Sequence, residues 1–130
     1  MKTSDLTGIT LDYAVGVALG HDMSKAINFG AYLRIPAHAG SAYTVTFCPS
    51  TDWTIGGPLI ERERIQLTTI YQHDLKVDNE WGAYLDDGRD IIDSVMGGHT
   101  PLAAAMRCYV ASRLGDEVSI PEELACEPSK

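Results

Sequence analysis

The sequence predicts an α+β fold: a small antiparallel sheet packed against two main helices, at about 7–20 and 100–115. Three observations lead there. Apolar residues recur at helical spacing in those two stretches. Between them lie short runs rich in Val, Ile, Thr and aromatic residues, the composition of half-buried strands. The order is helix, several strands, helix, tail, which lacks the β-α-β alternation that a parallel sheet requires. At 130 residues the chain suits one domain, 1–130, able to bury one core without staples.

The first helix spans 7–20. Thr7 or Thr10 caps it, Asp12 sits near its positive end, and Leu11, Ala14, Val15, Ala18 and Leu19 form one apolar face. Gly20 stops it. Gly16, unfavourable inside a helix, marks a close approach of its backbone to a neighbour. Ala31–Ile35 is a strand ended by Pro36, followed by turn residues His38-Ala39-Gly40-Ser41. Tyr43–Phe47 alternates apolar residues with hydroxyls and is a second, half-buried strand. Pro49 then restricts Cys48 to extended geometry and ends it.

Pro58 opens a helical turn with Leu59 and Ile60 inward, and Glu61 and Arg64 spaced to pair outside. Ile65–Tyr71 and Glu80–Leu85 are further strands, joined by a polar connection over 72–79. Asp86-Asp87-Gly88-Arg89-Asp90 carries an Asp-Gly turn signal. The last helix has Thr100 as its N-cap and Pro101 in the first turn. Leu102, Ala105, Met106, Tyr109, Val110 and Leu114 are buried, Arg107 and Arg113 point away, and Gly115 stops it. Asp116–Pro121 adds one short strand, and the chain frays from Glu122.

Composition restricts function. Ten basic residues against eighteen acidic give −8, too few cations to displace counterions from a nucleic-acid backbone, so direct nucleic-acid binding is not expected. The same acidity serves solubility, or an acidic surface that competes for a basic groove on another protein. No window approaches 18 apolar residues, so no membrane span is expected, and the start does not read as a signal peptide. Cys48, Cys108 and Cys126 form no Cys-x-x-Cys pair and are read as reduced thiols. Cys108 is a core residue. His21, His38, His73 and His99 are scattered, so neither a metal site nor a cofactor is expected.

The densest chemistry lies in the loop after the second strand. Ser50, Thr51 and Asp52 supply donors and acceptors, Trp53 a flat ring face, and Gly56-Gly57 accessible amides. With Glu61 and Arg62 beside them, they form a candidate ligand-binding set. The bland alternative is that Asp52 caps a turn and Trp53 plugs the core. A weaker anion site is Gly98-His99-Thr100 at the start of the last helix, against which stands simple capping by Thr100. Cys48 or Ser50 could be written as a nucleophile, but no elbow or base accompanies either, and no catalytic residue is assigned.

Pro49-Ser50-Thr51-Asp52-Trp53 followed by Gly56-Gly57-Pro58-Leu59-Ile60-Glu61-Arg62-Glu63 resembles the signature of the NinX-like family of lambdoid bacteriophages and prophages. Leu6-Thr7-Gly8 with Leu11–Val15 resembles that family's start, and Thr100–Val110 with Gly115–Val118 its end; the match is least clear over 74–98. The resemblance implies a small phage accessory protein, dispensable for the virion and made in the bacterial host cytoplasm. Two readings follow. One is capture of a small, nucleotide-like ligand through the Ser50–Gly57 loop, to counter a host defence signal. The other is an acidic module that blocks a host protein through Asp86, Asp87 and Asp90. A small hydrolase is a weaker third, and exposed strand edges would permit a homodimer.

Overall fold

Thr7 has extended backbone and shares a reciprocal capping box with Thr10: Thr7 N–H donates to Thr10 Oγ1 at 3.0 Å. That start launches helix α1 (Gly8–Leu19), which Gly20 closes in the left-handed conformation. A 3₁₀ turn at Met23–Lys25 leads into β1 (Ile27–Asn28), β2 (Leu33–Pro36) and β3 (Thr44–Phe47), an antiparallel sheet in that order with Leu33 opposite Phe47 and Ile35 opposite Val45. Helix α2 (Trp53–Glu63) follows. A second antiparallel sheet holds β4 (Ile65–Thr69), β5 (Trp81–Leu85) and β6 (Met96–Gly98). The chain closes with α3 (Pro101–Leu114) and a one-turn α4 (Glu122–Ala125). The computed structural model describes residues 1–69, 81–85 and 95–125. The expected connection over 72–79, the Asp-Gly turn at 86–90, the outer ends of two strands at Ile70, Tyr71 and Glu80, and Cys126 lie outside the described residues.

The α+β class holds, with two three-stranded sheets where one was expected. Helix α3 is the hub: it packs on the second sheet, on α1 and on α2. Its buried residues run from Ala104 through Val110 without a break, so it has no solvent stripe over that span. The expectation that Arg107 points outward is therefore wrong. Only 5% exposed, Arg107 donates through Nε to Leu6 O at 2.9 Å and through a terminal nitrogen to Gly97 O at 2.7 Å, joining the N-terminal segment to β6. Burial pulls its pKa down, against the opposing charge of Asp5. Arg113 does lie at the surface, over the Tyr109 ring.

Two helix contacts explain glycines. A Cβ on Gly16 would overlap the Met23 side chain, whose thioether is the close neighbour expected there. On Gly98 it would meet Ala104 N at 2.6 Å, so β6 approaches α3 with no room for a side chain. Tail and N-terminus are paired directly. Thr3 N donates to Asp116 O at 2.8 Å and Val118 N to Met1 O at 2.9 Å, an isolated bridge in place of the expected tail strand.

Candidate functional site

Phe47 ends β3, and the chain folds back on itself at once: Thr51 N and Asp52 N both donate to Cys48 O, at 3.1 and 2.9 Å. Asp52 then caps α2, its carboxylate accepting from Thr54 N at 3.0 Å and Thr54 Oγ1 at 2.7 Å. The helix thus begins at Trp53, five residues before the Pro58 start expected from sequence. Asp52 supplies a sufficient cap, and Pro58 is carried inside the helix. The Gly56-Gly57 amides are consequently not presented to a ligand, since Gly56 N donates to Asp52 O at 2.9 Å within the helix. Gly56 serves packing instead: a Cβ there would meet Pro49 O at 2.5 Å and Leu102 Cδ1 at 2.7 Å.

Trp53 does not plug the core. It is 52% exposed, with its indole lying back along α2 beside Gly57. The expected Glu61–Arg64 pair does not form, because Arg64 ends the helix in the left-handed region (φ 57°). Glu63 takes the cations, Arg62 Nε at 2.9 Å and Arg113 at 3.5 Å. Glu61 and Arg62 are exposed on this helix. Of the sequence-predicted set, Thr51, Trp53, Glu61 and Arg62 have accessible surface, while Ser50 and Gly56 are inside.

Ser50 leads to a residue that sequence reasoning treated only as a helix-dipole partner. Asp12, 1% exposed, accepts from Ser50 N at 2.8 Å and ties α1 to the loop before α2. Desolvation raises its pKa from 3.8 to about 6, with the Ser50 hydrogen bonding pulling the other way. Ser50 Oγ lies beside this carboxylate but outside hydrogen-bonding geometry, and is buried without a partner among the described residues. The signal was present in the sequence: Asp12 falls three and four positions before Val15 and Gly16, on the buried side of the helix. Burial also raises the Cys48 thiol, with Asp12 and Asp52 adding to the effect and Thr51 opposing it. A thiol so held is a poor nucleophile, and Ser50, 5% exposed, is closed to substrate.

At the other candidate, Thr100 Oγ1 accepts from Ala103 N at 3.0 Å, and Gly98 is spent on packing against α3. His99 is exposed beside them. Asp86, Asp87 and Asp90 lie outside the described residues.

Among the described residues, a concavity with room for a molecule lies elsewhere. A groove of about 560 Å³ opens between the end of α1, the β2–β3 hairpin and the first turn of α2. Its apolar lining is Ile35, Val45, Phe47 and Ile55; its polar and small lining includes His21, Asp22 and Lys25 after α1 and His38, Ala39 and Gly40 of the hairpin turn. His21 stands edge-on to Phe47, with ring centroids 5.6 Å apart, and His38 Nδ1 donates to Ala39 O at 3.1 Å. Val45 is 41% exposed on this floor. The predicted loop meets the groove at one point, Ile55. Among the described residues no group of three or more His, Cys, Asp or Glu side chains is placed to hold a metal ion, and no helix is long and apolar enough to cross a membrane.

No curated protein matches the sequence as a relative. The family described as Bacteriophage P22, NinX matches residues 2–113, which takes in the Asp12–Ser50 tie, the α2 motif and all the residues of the groove, and the chain belongs to that family.

Proposed function

We propose that this phage accessory protein works by capturing a small molecule in the groove between α1, the β2–β3 hairpin and α2, and that the captured molecule is a signal of the host's defence. The observation that carries the reading is the groove itself. Its volume of about 560 Å³ falls within the range of roughly 300–1,000 Å³ typical of small-molecule sites, and its apolar floor under a few polar groups is their usual construction. Binding without turnover is favoured by the state of the reactive groups. Ser50 and Asp12 are buried, and the Cys48 thiol is pushed towards its protonated form. In this reading the Ser50–Gly57 motif acts one step back from the ligand. It fixes the start of α2 and so delivers Ile55 to the floor, while Trp53 stands two residues away as an exposed reporter.

The test is native mass spectrometry of protein purified from bacteria, before and after denaturing extraction, on the wild type and on Val45→Asp. A bound small molecule present in the wild type and lost in Val45→Asp, with circular dichroism unchanged, is the expected result. A ligand retained by Val45→Asp but lost on Trp53→Ala would move the site to the α2 surface. A protein that stays empty after exposure to pooled cyclic and linear nucleotides and to host extract would overturn the capture reading.

A further inference from the structure

Charge is distributed very unevenly along this chain. It has eighteen acidic residues, yet none lies between Met23 and Thr51, where Lys25 and Arg34 are the only charged side chains; that segment carries +2 and the remainder −10. The acid-free segment contains all of the first sheet and supplies most of the groove's wall. Of the two cations, Arg34 is occupied. It lies opposite Thr46 on the face of β2 away from Ile35, donating to Thr44 Oγ1 at 2.9 Å, Thr46 Oγ1 at 3.0 Å and Thr44 O at 2.6 Å. Lys25 is exposed and lines the groove, as do His21 and His38.

The carboxylate at this rim, Asp22, is hydrogen-bonded and ionised, and its charge lies within reach of Lys25. Asp22 Oδ1 accepts from Ser24 N at 3.1 Å and Ser24 Oγ at 2.5 Å, which holds its pKa down. Three carbonyls near the end of α1 are also taken: Gly16 O accepts from Gly20 N and His21 N, Val17 O from Gly20 N, and Ala18 O from Tyr109 Oη. What meets a ligand there is an ammonium and two imidazoles, with the ionised Asp22 carboxylate beside them, above Ile35, Val45, Phe47 and Ile55.

We infer that the groove takes a phosphate-bearing ligand, its flat apolar ring on the Val45–Phe47 floor and its phosphate at the Lys25 and His38 rim. This rests on the capture reading above and names the chemistry that the same groove would select. Lys25 is then the specificity-determining residue, separating a phosphorylated ring compound from its neutral parent.

Titration of ¹⁵N-labelled protein with AMP, adenosine and inorganic phosphate, followed by NMR, tests it. The expected result is that AMP moves the amides of Lys25, His38–Gly40 and Val45–Phe47, that adenosine binds more weakly, and that Lys25→Gln weakens AMP by about fivefold while leaving adenosine unchanged. Because Lys25 is exposed, the variant keeps the fold, which its own spectrum verifies. If AMP and adenosine bind alike, or Lys25→Gln leaves AMP unaffected, the phosphate inference falls and the capture reading stands. If phosphate alone binds as tightly as AMP, the ring-bearing class is wrong. If none of the three moves a groove amide at millimolar concentration, both fall.

Discussion

Asp12 gives the sharpest prediction, because its sign is opposite to that of an ordinary surface carboxylate. Its pKa in the folded chain is raised from 3.8 to about 6. Between those values the folded protein binds more protons at this site than the unfolded chain does, so stability falls as pH rises. The contribution is fully present below about pH 4 and is lost as pH climbs through about 6. A rise of roughly two pKa units corresponds to about 3 kcal/mol of penalty at neutral pH, the cost of desolvating a carboxylate that the Ser50 hydrogen bond offsets only in part. Asp12→Asn removes the charge and keeps an oxygen for Ser50 N. Ser50 Oγ, buried without a partner among the described residues, lies in the same neighbourhood. The variant is therefore expected to be more stable than wild type by about 2 kcal/mol at pH 7.5, with the gain vanishing near pH 4.5.

Urea unfolding at both pH values, on wild type and variant, isolates this group, because carboxylates common to both chains cancel in the difference. Asp12→Leu is the control. It also removes the charge but leaves Ser50 N without an acceptor, at a cost of about 1–3 kcal/mol. An Asp12→Asn protein that is less stable than wild type at pH 7.5, or whose advantage is the same at pH 4.5, would refute the reasoning.

Three further substitutions test the packing. Gly56→Ala places a methyl 2.5 Å from Pro49 O and 2.7 Å from Leu102 Cδ1, and is expected to cost about 1–3 kcal/mol in urea unfolding, since one of those contacts is backbone. Arg107→Met keeps the apolar stem but strands Leu6 O and Gly97 O; a loss of about 2–3 kcal/mol is expected, with faster hydrogen exchange in β6. Glu63→Gln removes the partner of two exposed arginines and is expected to shift stability by no more than about 0.5 kcal/mol, as measured by thermal unfolding.

The parts of this fold that were legible in the sequence are those set by contacts close in sequence. Thr7, Thr100, Gly20 and Gly115 mark the ends of α1 and α3 because a cap hydrogen bond or a left-handed residue needs only its own turn. Pro58 misled for the same reason. Proline favours a first turn, but Asp52 already satisfied Thr54 N, and packing of Gly56 under Pro49 and Leu102 drew the helix start forward. Arg107 misled through burial: a helix wrapped by two others and a sheet has no outward side for it, and only two carbonyls from remote segments make its charge tolerable there.

The groove was illegible for a different reason. Its residues come from the end of α1, both arms of a hairpin and one turn of α2, and no single window contains enough of them to stand out. The dense motif drew attention because hydroxyls, a carboxylate, an indole and glycines are the residue types that bind ligands. They are equally the types that cap, turn and pack, and local demands take up the Asp52 carboxylate, the Ser50 amide and the space at Gly56. Density of polar residues thus measured the difficulty of the corner between β3 and α2. What the linear sequence did carry about the groove was the absence of any Asp or Glu from Met23 to Thr51 in a chain of net charge −8. An acidic protein that keeps one sheet free of carboxylates has a surface on which an anion meets no repulsion from that sheet's own side chains, and Lys25 stands at its edge.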